Sequence, residues 1–157
     1  MKSVKSTLGV TLLEVMLVLA IAAMIIVMSI RYYQSASSSQ QANTVLQQIQ
    51  GIVAAADSLT QATGAYSNIT NSSLAPLMPA GALNTPWGEP ITVKSGSVTT
   101  FTIQLGSGIP SGVCPLLFSK LATNNHFSIG GTPPVDPSTC KATGATSSTT
   151  ITYTSNP

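Results

Sequence analysis

The chain has 157 residues, enough for one domain, and only 6% of them are charged, against about 25% in a typical soluble protein. The formal net charge is +2, and two of the six basic residues lie within the first five positions, so the remaining chain is close to neutral. Nothing here argues for direct nucleic-acid binding, and so low a charge suits a packed or extracellular protein better than a cytosolic enzyme.

The first nine residues, MKSVKSTLG, carry Lys2 and Lys5 and no acidic side chain. A basic flank stays on the cytoplasmic side of a membrane, so this end is predicted to be cytoplasmic and the C-terminal part external. An ordinary secretory signal peptide is the alternative, because Ala20-Ile21-Ala22 is similar to the site that signal peptidase cuts. Glu14 and an apolar run that continues to Ile30 both oppose this alternative.

Residues 10–30 form an almost wholly apolar run that contains neither Pro nor Gly. As an α-helix the run is about 30 Å long, which is the thickness of the hydrocarbon core of a bilayer. It is therefore predicted to be a transmembrane helix. Glu14 is the exception, because a carboxylate in lipid costs a few kcal/mol or more and tends to mark a functional partner.

The helix is predicted to continue to about Thr63, with Gly64 at its C-terminal end. Between residues 34 and 62, apolar side chains recur at spacings of three and four, which is typical of a helix with one buried stripe. The stripe consists of Val45, Leu46, Ile49, Ile52, Val53, Ala56 and Leu59. The serine-rich residues 35–39 are the softest turn by helix propensity. A helix over residues 10–63 is about 80 Å long, so half of it is expected to protrude from so small a head and to need lipid or other subunits around it.

Residues 64–157 are predicted to form a globular head in which a small antiparallel sheet packs against the long helix, giving an α+β fold. Pro and Gly punctuate residues 64–90, which predicts a loop with short helical pieces. Alternating apolar residues predict a hairpin over residues 91–105. The remaining predicted elements are a short helix over 114–122, a short strand over 127–129 and a last strand over 149–154.

The chain has two cysteines, Cys114 and Cys140, both in the head. An exported protein with an even number of cysteines commonly pairs them, so a disulfide is predicted, two free buried thiols being the alternative. A bond that closes a loop of about 25 residues stabilises a fold by roughly 3 kcal/mol in the chain-entropy model. A head of this size, with a modest core, benefits from such a cross-link.

No residue pattern in the sequence indicates catalysis, a cofactor or a metal site. His126 is the one histidine of the chain, and Asp57 and Glu89 are isolated from other acidic residues, so no acid–base pair stands out. The sequence also contains no nucleophile elbow and no phosphate-binding glycine loop. We therefore expect a protein without enzyme activity, cofactor or bound metal.

The N-terminal pattern resembles the class III signal of the type IV pilin family. The residues that carry the resemblance are the basic leader (residues 1–9), its last residue Gly9, the apolar run, and Glu14, the fifth residue when Val10 is counted as the first. The resemblance implies that a prepilin peptidase cuts after Gly9 and methylates the new N-terminus at Val10. It also implies that Glu14 pairs with the terminal amine of a neighbouring subunit inside a filament.

Within the head, Thr85-Pro86-Trp87-Gly88 and the short helix that begins near Cys114 are most similar to features of type IVb pilins. The sequence departs from the family pattern in three ways. Its leader is short, as in type IVa pilins, its first mature residue would be Val10 rather than Phe or Met, and its apolar run lacks the common helix-breaking Pro.

The resemblance implies a structural subunit that polymerises into a type IV pilus, or fimbrium, used for surface adhesion, aggregation, motility or conjugation. Its implied partners are further copies of itself, the prepilin peptidase, an inner-membrane assembly platform with its ATPases, and an outer-membrane secretin. The precursor and the unassembled subunit would lie in the inner membrane and the assembled pilus outside the cell. The alternatives are a minor pilin or pseudopilin of a type II secretion or DNA-uptake system, and a monomeric membrane-anchored adhesion module.

Overall fold

The computed structural model describes residues 11–131, 133–141 and 148–155 of the chain. These residues belong to two compact units, Met1–Ala36 and Ser37–Pro157, which are taken one at a time below. The fold class is α+β, as the sequence predicts.

One long helix, α1, runs over Leu12–Thr63 and is unbroken, which confirms the prediction of a continuous helix. The sequence allows this because no Pro occurs between Val10 and Leu74. Gly64 follows the last residue of the helix, and its φ of 75° lies in the left-handed region that glycine adopts without strain. The amide of Gly64 donates to the carbonyl of Thr60 at 2.7 Å, which satisfies one of the last carbonyls of the helix.

Short helical pieces follow α1, in the segment where Pro and Gly predict a broken loop. They are a 3₁₀ turn at Tyr66–Asn68, the helix α2 at Asn71–Leu74 and a 3₁₀ turn at Ala75–Leu77. Helix α2 begins with a capping box, because the side chain of Thr70 accepts from the amide of Ser73 and the side chain of Ser73 accepts from the amide of Thr70.

Four antiparallel strands form the sheet of the head. They are β1 at Ile91–Ser95, β2 at Thr100–Leu105, β3 at Phe127–Ile129 and β4 at Thr149–Thr154. Strands β1 and β2 make the predicted hairpin, and the order across the sheet is β1-β2-β4-β3. The last strand of the chain therefore lies inside the sheet, between β2 and β3. The helix α3, at Val113–Leu121, comes between β2 and β3 in sequence.

The core of the head lies between one face of the sheet and the second half of α1. On β2 the buried side chains alternate, at Phe101, Ile103 and Leu105, as the period of a strand requires. Most of the predicted stripe on α1 belongs to the same hydrophobic cluster, in which Val45 and Ile49 are fully buried. The opposite face of the sheet is polar and carries mainly threonines.

The side chain of Asn71 covers the outer edge of β1. Its amide nitrogen donates to the carbonyl of Ile91 at 2.8 Å, and its amide oxygen accepts from the backbone N–H of Val93 at 2.5 Å. These are bonds that a neighbouring strand would make, so one side chain blocks part of this edge against strand pairing.

A disulfide joins Cys114 in α3 to Cys140, with the two Cα atoms 5.9 Å apart, which confirms the predicted pairing. Cys140 lies in a 3₁₀ helix at Pro137–Lys141. The bond holds this late segment against α3.

Candidate functional site: the apolar start of the long helix and Glu14

The first half of α1 is long and apolar enough to cross a membrane. Its most hydrophobic window of 18 residues has a mean hydropathy of 2.7, and none of that window is buried by the rest of the chain. By length and composition this segment can serve as a membrane anchor.

Apolar side chains lie exposed all around this part of the helix. Leu12, Met16, Met24 and Met28 are each between 65% and 78% exposed, and among residues 11–36 only Ala22 is partly covered. An amphipathic surface helix would hide one apolar stripe and present a polar face to water. A helix that is apolar on every side instead needs lipid or other protein around its whole circumference, because water is a poor solvent for all of its faces.

Glu14 is the one charged residue between Thr11 and Ile30, and it lies in the first turn of α1. Its backbone N–H donates to the carbonyl of Thr11 at 3.0 Å and to the Thr11 hydroxyl at 3.3 Å. Thr11 therefore caps the helix, and Thr11-Leu12-Leu13-Glu14 has the spacing of a capping box. A negative charge in this first turn is also favoured by the positive end of the helix dipole.

Within the described part of this single chain, the carboxylate of Glu14 has no hydrogen-bond or ion-pair partner, and the residue is exposed. A charge that enters an apolar environment needs such a partner. Gly9 and Val10, the predicted cleavage site and new N-terminus, lie outside the described residues. The sequence alone places Val10 directly before the capping residue Thr11, so a terminal amine at Val10 would arise four residues from Glu14.

The sequence analysis missed two features of the structure, one at the start of α1 and one in the head. The first is the capping role of Thr11, which the Thr-x-x-Glu pattern could have indicated. The second is a pocket in the head that Asp57 and His126 both line, although the sequence shows them as isolated residues. They are 69 positions apart, so no local pattern reveals their proximity. Within the described residues no group of three or more metal-ligating side chains is present.

No protein-family model matches the chain, and neither the curated proteins nor the solved structures contain a match to it. The long apolar N-terminal helix, the small antiparallel sheet and the disulfide are consistent with a pilin-like fold.

Proposed function

We propose that this chain is a structural subunit of a type IV pilus, a pilin that polymerises through its apolar N-terminal helix. The observation that carries the proposal is the exposure of the helix from Leu12 to Ile30, which is apolar on every side and interrupted by a single carboxylate at Glu14. A pilin needs such a helix twice, first as a membrane anchor and then as the core of a fibre.

The apolar surface supplies affinity for both environments. In the membrane, lipid chains cover it, and in a fibre the helices of neighbouring subunits cover it instead. Burial of apolar surface has no preferred direction, so it cannot by itself set how far one helix slides along the next. A polar pair is required to fix that register.

Glu14 fits the role of the register residue. Cleavage after Gly9 would create an amine at Val10, and residues 10–30 contain no Lys, Arg or His that could compete for the carboxylate. In a stack of helices, the amine of an incoming subunit would pair with Glu14 of its neighbour. A slipped register would leave a charge buried without a partner, which costs several kcal/mol.

The proposal implies the partners and places that pilins require. The precursor would lie in the inner membrane, where the prepilin peptidase processes it, and the assembly platform and its ATPases would move it into a fibre that leaves through a secretin. The chain itself would carry no catalytic role and no cofactor. The fibre would serve adhesion, aggregation, motility or conjugation.

A membrane-anchored monomer is the second candidate, because the same apolar helix can serve as an anchor. Filaments sheared from cells separate the two, since a dominant band of this chain in the sheared fraction supports a major pilin. A trace of the chain would instead indicate a minor pilin or a pseudopilin, and its retention in the membrane fraction would support the anchor.

Processing is a separate test. N-terminal sequencing and intact mass of the filament protein should give a chain that begins at methylated Val10. A chain that begins near Ala23 would indicate an ordinary signal peptidase and would contradict the pilin proposal.

A further inference from the structure

A pocket of about 220 Å³ lies in the head, between α1 and the end of the sheet formed by β3 and β4. Its volume corresponds to roughly seven water molecules at about 30 Å³ each, so it suits a ligand smaller than a typical drug molecule. All of its residues belong to the unit Ser37–Pro157. The polar and aromatic residues that line it are Gln50, Asp57, Asn124, His126, Phe127 and Tyr153.

One carboxylate oxygen of Asp57 is fixed by a hydrogen bond. The hydroxyl of Tyr66 donates to Oδ1 of Asp57 at 2.5 Å. Burial raises the pKa of Tyr66 to about 12, with the hydrogen bond to Asp57 and its charge adding to the effect, so the hydroxyl stays protonated and keeps donating. Oδ2 of Asp57 has no partner among the described residues and remains available as an acceptor.

His126 is fixed in the same manner. Its Nδ1 lies 2.7 Å from the carbonyl oxygen of Thr154, and the backbone N–H of Thr154 donates to the carbonyl of His126 at 2.8 Å. A carbonyl oxygen only accepts, so Nδ1 carries the proton and Nε2 of the neutral ring presents a lone pair. The ring also stacks on Tyr153, with centroids 5.7 Å apart, which holds its plane.

Asn124 is the third anchored group. Its Oδ1 accepts from the backbone N–H of His126 at 3.0 Å, so its Nδ2 is the end left to donate. Gln50 adds a side-chain amide that makes no hydrogen bond within the described residues. Three polar side chains are thus each held at one atom and free at another, which is how preorganised ligand sites are supported.

We propose that this pocket binds one neutral pyranose unit of a saccharide. A sugar ring presents neighbouring hydroxyls, which can donate to the Asp57 carboxylate and to Nε2 of His126 while accepting from the Asn124 amide. Its C–H face needs an apolar surface, which Val53 and Ala54 of α1 provide, with the buried rings of Phe127 and Tyr153 completing the apolar lining.

Other ligand chemistries fit the pocket less well. Within the described residues no cation pairs with the Asp57 carboxylate on the pocket wall, so Asp57 repels an anion. Asp57 and His126 supply only two metal ligands, whereas a structural metal site normally has four protein ligands and a catalytic one three. The mixture of one carboxylate, one imidazole and two amides favours hydroxyl groups.

Titration of the full chain with methyl glycosides tests the proposal. The protein should be held in dodecylphosphocholine micelles, because glycosidic detergents would compete for the pocket. Methyl glucoside, methyl galactoside, methyl mannoside and methyl N-acetylglucosaminide are added one at a time while NMR follows the Asn124 side-chain amide and the His126 ring. At least one should shift both signals to saturation, with a Kd on the order of 1 mM for a ligand this small.

Two variants and a matched control identify the pocket as the site. Gln50→Ala should weaken binding about three- to tenfold, and Asp57→Asn, which keeps an oxygen for Tyr66 but removes the charge, about tenfold or more. Gln47→Ala changes another exposed glutamine of α1, one that does not line the pocket, and should leave the Kd unchanged. The proposal is overturned if no glycoside shifts the two signals, if Gln47→Ala weakens binding as much as Gln50→Ala, or if Zn²⁺ saturates the His126 signals while the glycosides do not.

Discussion

The hydroxyl of Tyr66 couples the stability of the head to alkaline pH. Its pKa is raised to about 12 by burial first and by Asp57 second, whereas the same group in the unfolded chain has a pKa of 10.0. The folded state therefore holds this proton more tightly than the unfolded state. The stabilising contribution is complete below pH 10 and is lost as the pH rises toward 12. Burial also raises the pKa of Tyr153, followed by the charge of Asp57, so the two tyrosines act in the same direction.

We expect the free energy of unfolding of the head to be flat from pH 8 to 10 and to fall above pH 10. Urea denaturation of the full chain in micelles, followed by the fluorescence of Trp87, measures this. At pH 8, where the hydrogen bond to Asp57 is intact, Tyr66→Phe should lower the free energy of unfolding by about 1 kcal/mol. Above pH 10, the free energy of unfolding of this variant should fall less steeply with pH than that of the parent protein. Parallel curves for the two proteins would contradict the assignment to Tyr66.

The Asn71 side chain makes hydrogen bonds to the edge of β1 that a neighbouring strand would otherwise make. Its removal is expected to expose this edge. Asn71→Ala deletes the bonds to the Ile91 carbonyl and the Val93 amide, so two backbone groups lose their partner. We expect the free energy of unfolding to fall by about 1–3 kcal/mol.

Urea denaturation measures this loss, and Asn68→Ala is the matched control. Asn68 is an exposed asparagine three positions earlier, and its side chain makes no hydrogen bond within the described residues. Replacing Asn68 should leave the urea midpoint of unfolding equal to that of the parent protein within experimental error. Equal losses in both variants would show that the edge bonds do not stabilise the head.

The elements themselves were largely predictable, because each depends on neighbouring residues. The continuous helix follows from the absence of Pro and from the spacing of Val45, Ile49 and Ile52, and the hairpin follows from alternation at Phe101, Ile103 and Leu105. These patterns say which face of an element is buried.

These local patterns do not show which helix or strand packs beside which other. The strand order β1-β2-β4-β3 depends on pairings such as that of Leu105 with Thr149, 44 positions apart, and no local pattern encodes such a contact. The pocket that Asp57 and His126 share escaped prediction for the same reason.

The disulfide is the covalent link between two of these elements, α3 and the 3₁₀ helix that carries Cys140. Removing it through Cys114→Ala with Cys140→Ala frees the unfolded chain of a cross-link over 26 positions. The free energy of unfolding should fall by about 3 kcal/mol, within a range of roughly 2–5 kcal/mol.

Denaturation with and without dithiothreitol separates the cross-link from packing. Reductant should destabilise the parent protein by a similar amount and should leave the double variant unchanged. Two thiols that react with iodoacetamide in native, unreduced protein would contradict the pairing.

At the scale of the whole molecule, two units meet different requirements. The residues from Thr11 to Ala36 expose apolar side chains, and the carboxylate of Glu14 has no partner among the described residues. The unit from Ser37 onward instead has its own core, a partly covered sheet edge and a disulfide. A chain with a packed core in one unit and exposed apolar side chains in the other is suited to assembly. The core of the head needs no contact with other subunits, so the head can fold before assembly. The proposed pilin requires this while it is an unassembled subunit in the membrane.

Glu14→Gln tests the assembly mechanism, since it removes the charge and changes little volume. Glu14 has no side-chain partner in the single chain within the described residues, so membrane insertion and head folding should be normal. Assembly of the proposed fibre should be affected, because an amide cannot form an ion pair with the amine that cleavage after Gly9 would create at Val10, and a wrong register would no longer cost more than the right one. We expect a loss of fibre yield of tenfold or more in sheared fractions, with partial rescue when wild-type chain is co-expressed. Glu89→Gln makes the same chemical change in the head and should assemble normally. Normal fibre yield and length from cells that carry only Glu14→Gln would refute the role of Glu14 in setting register.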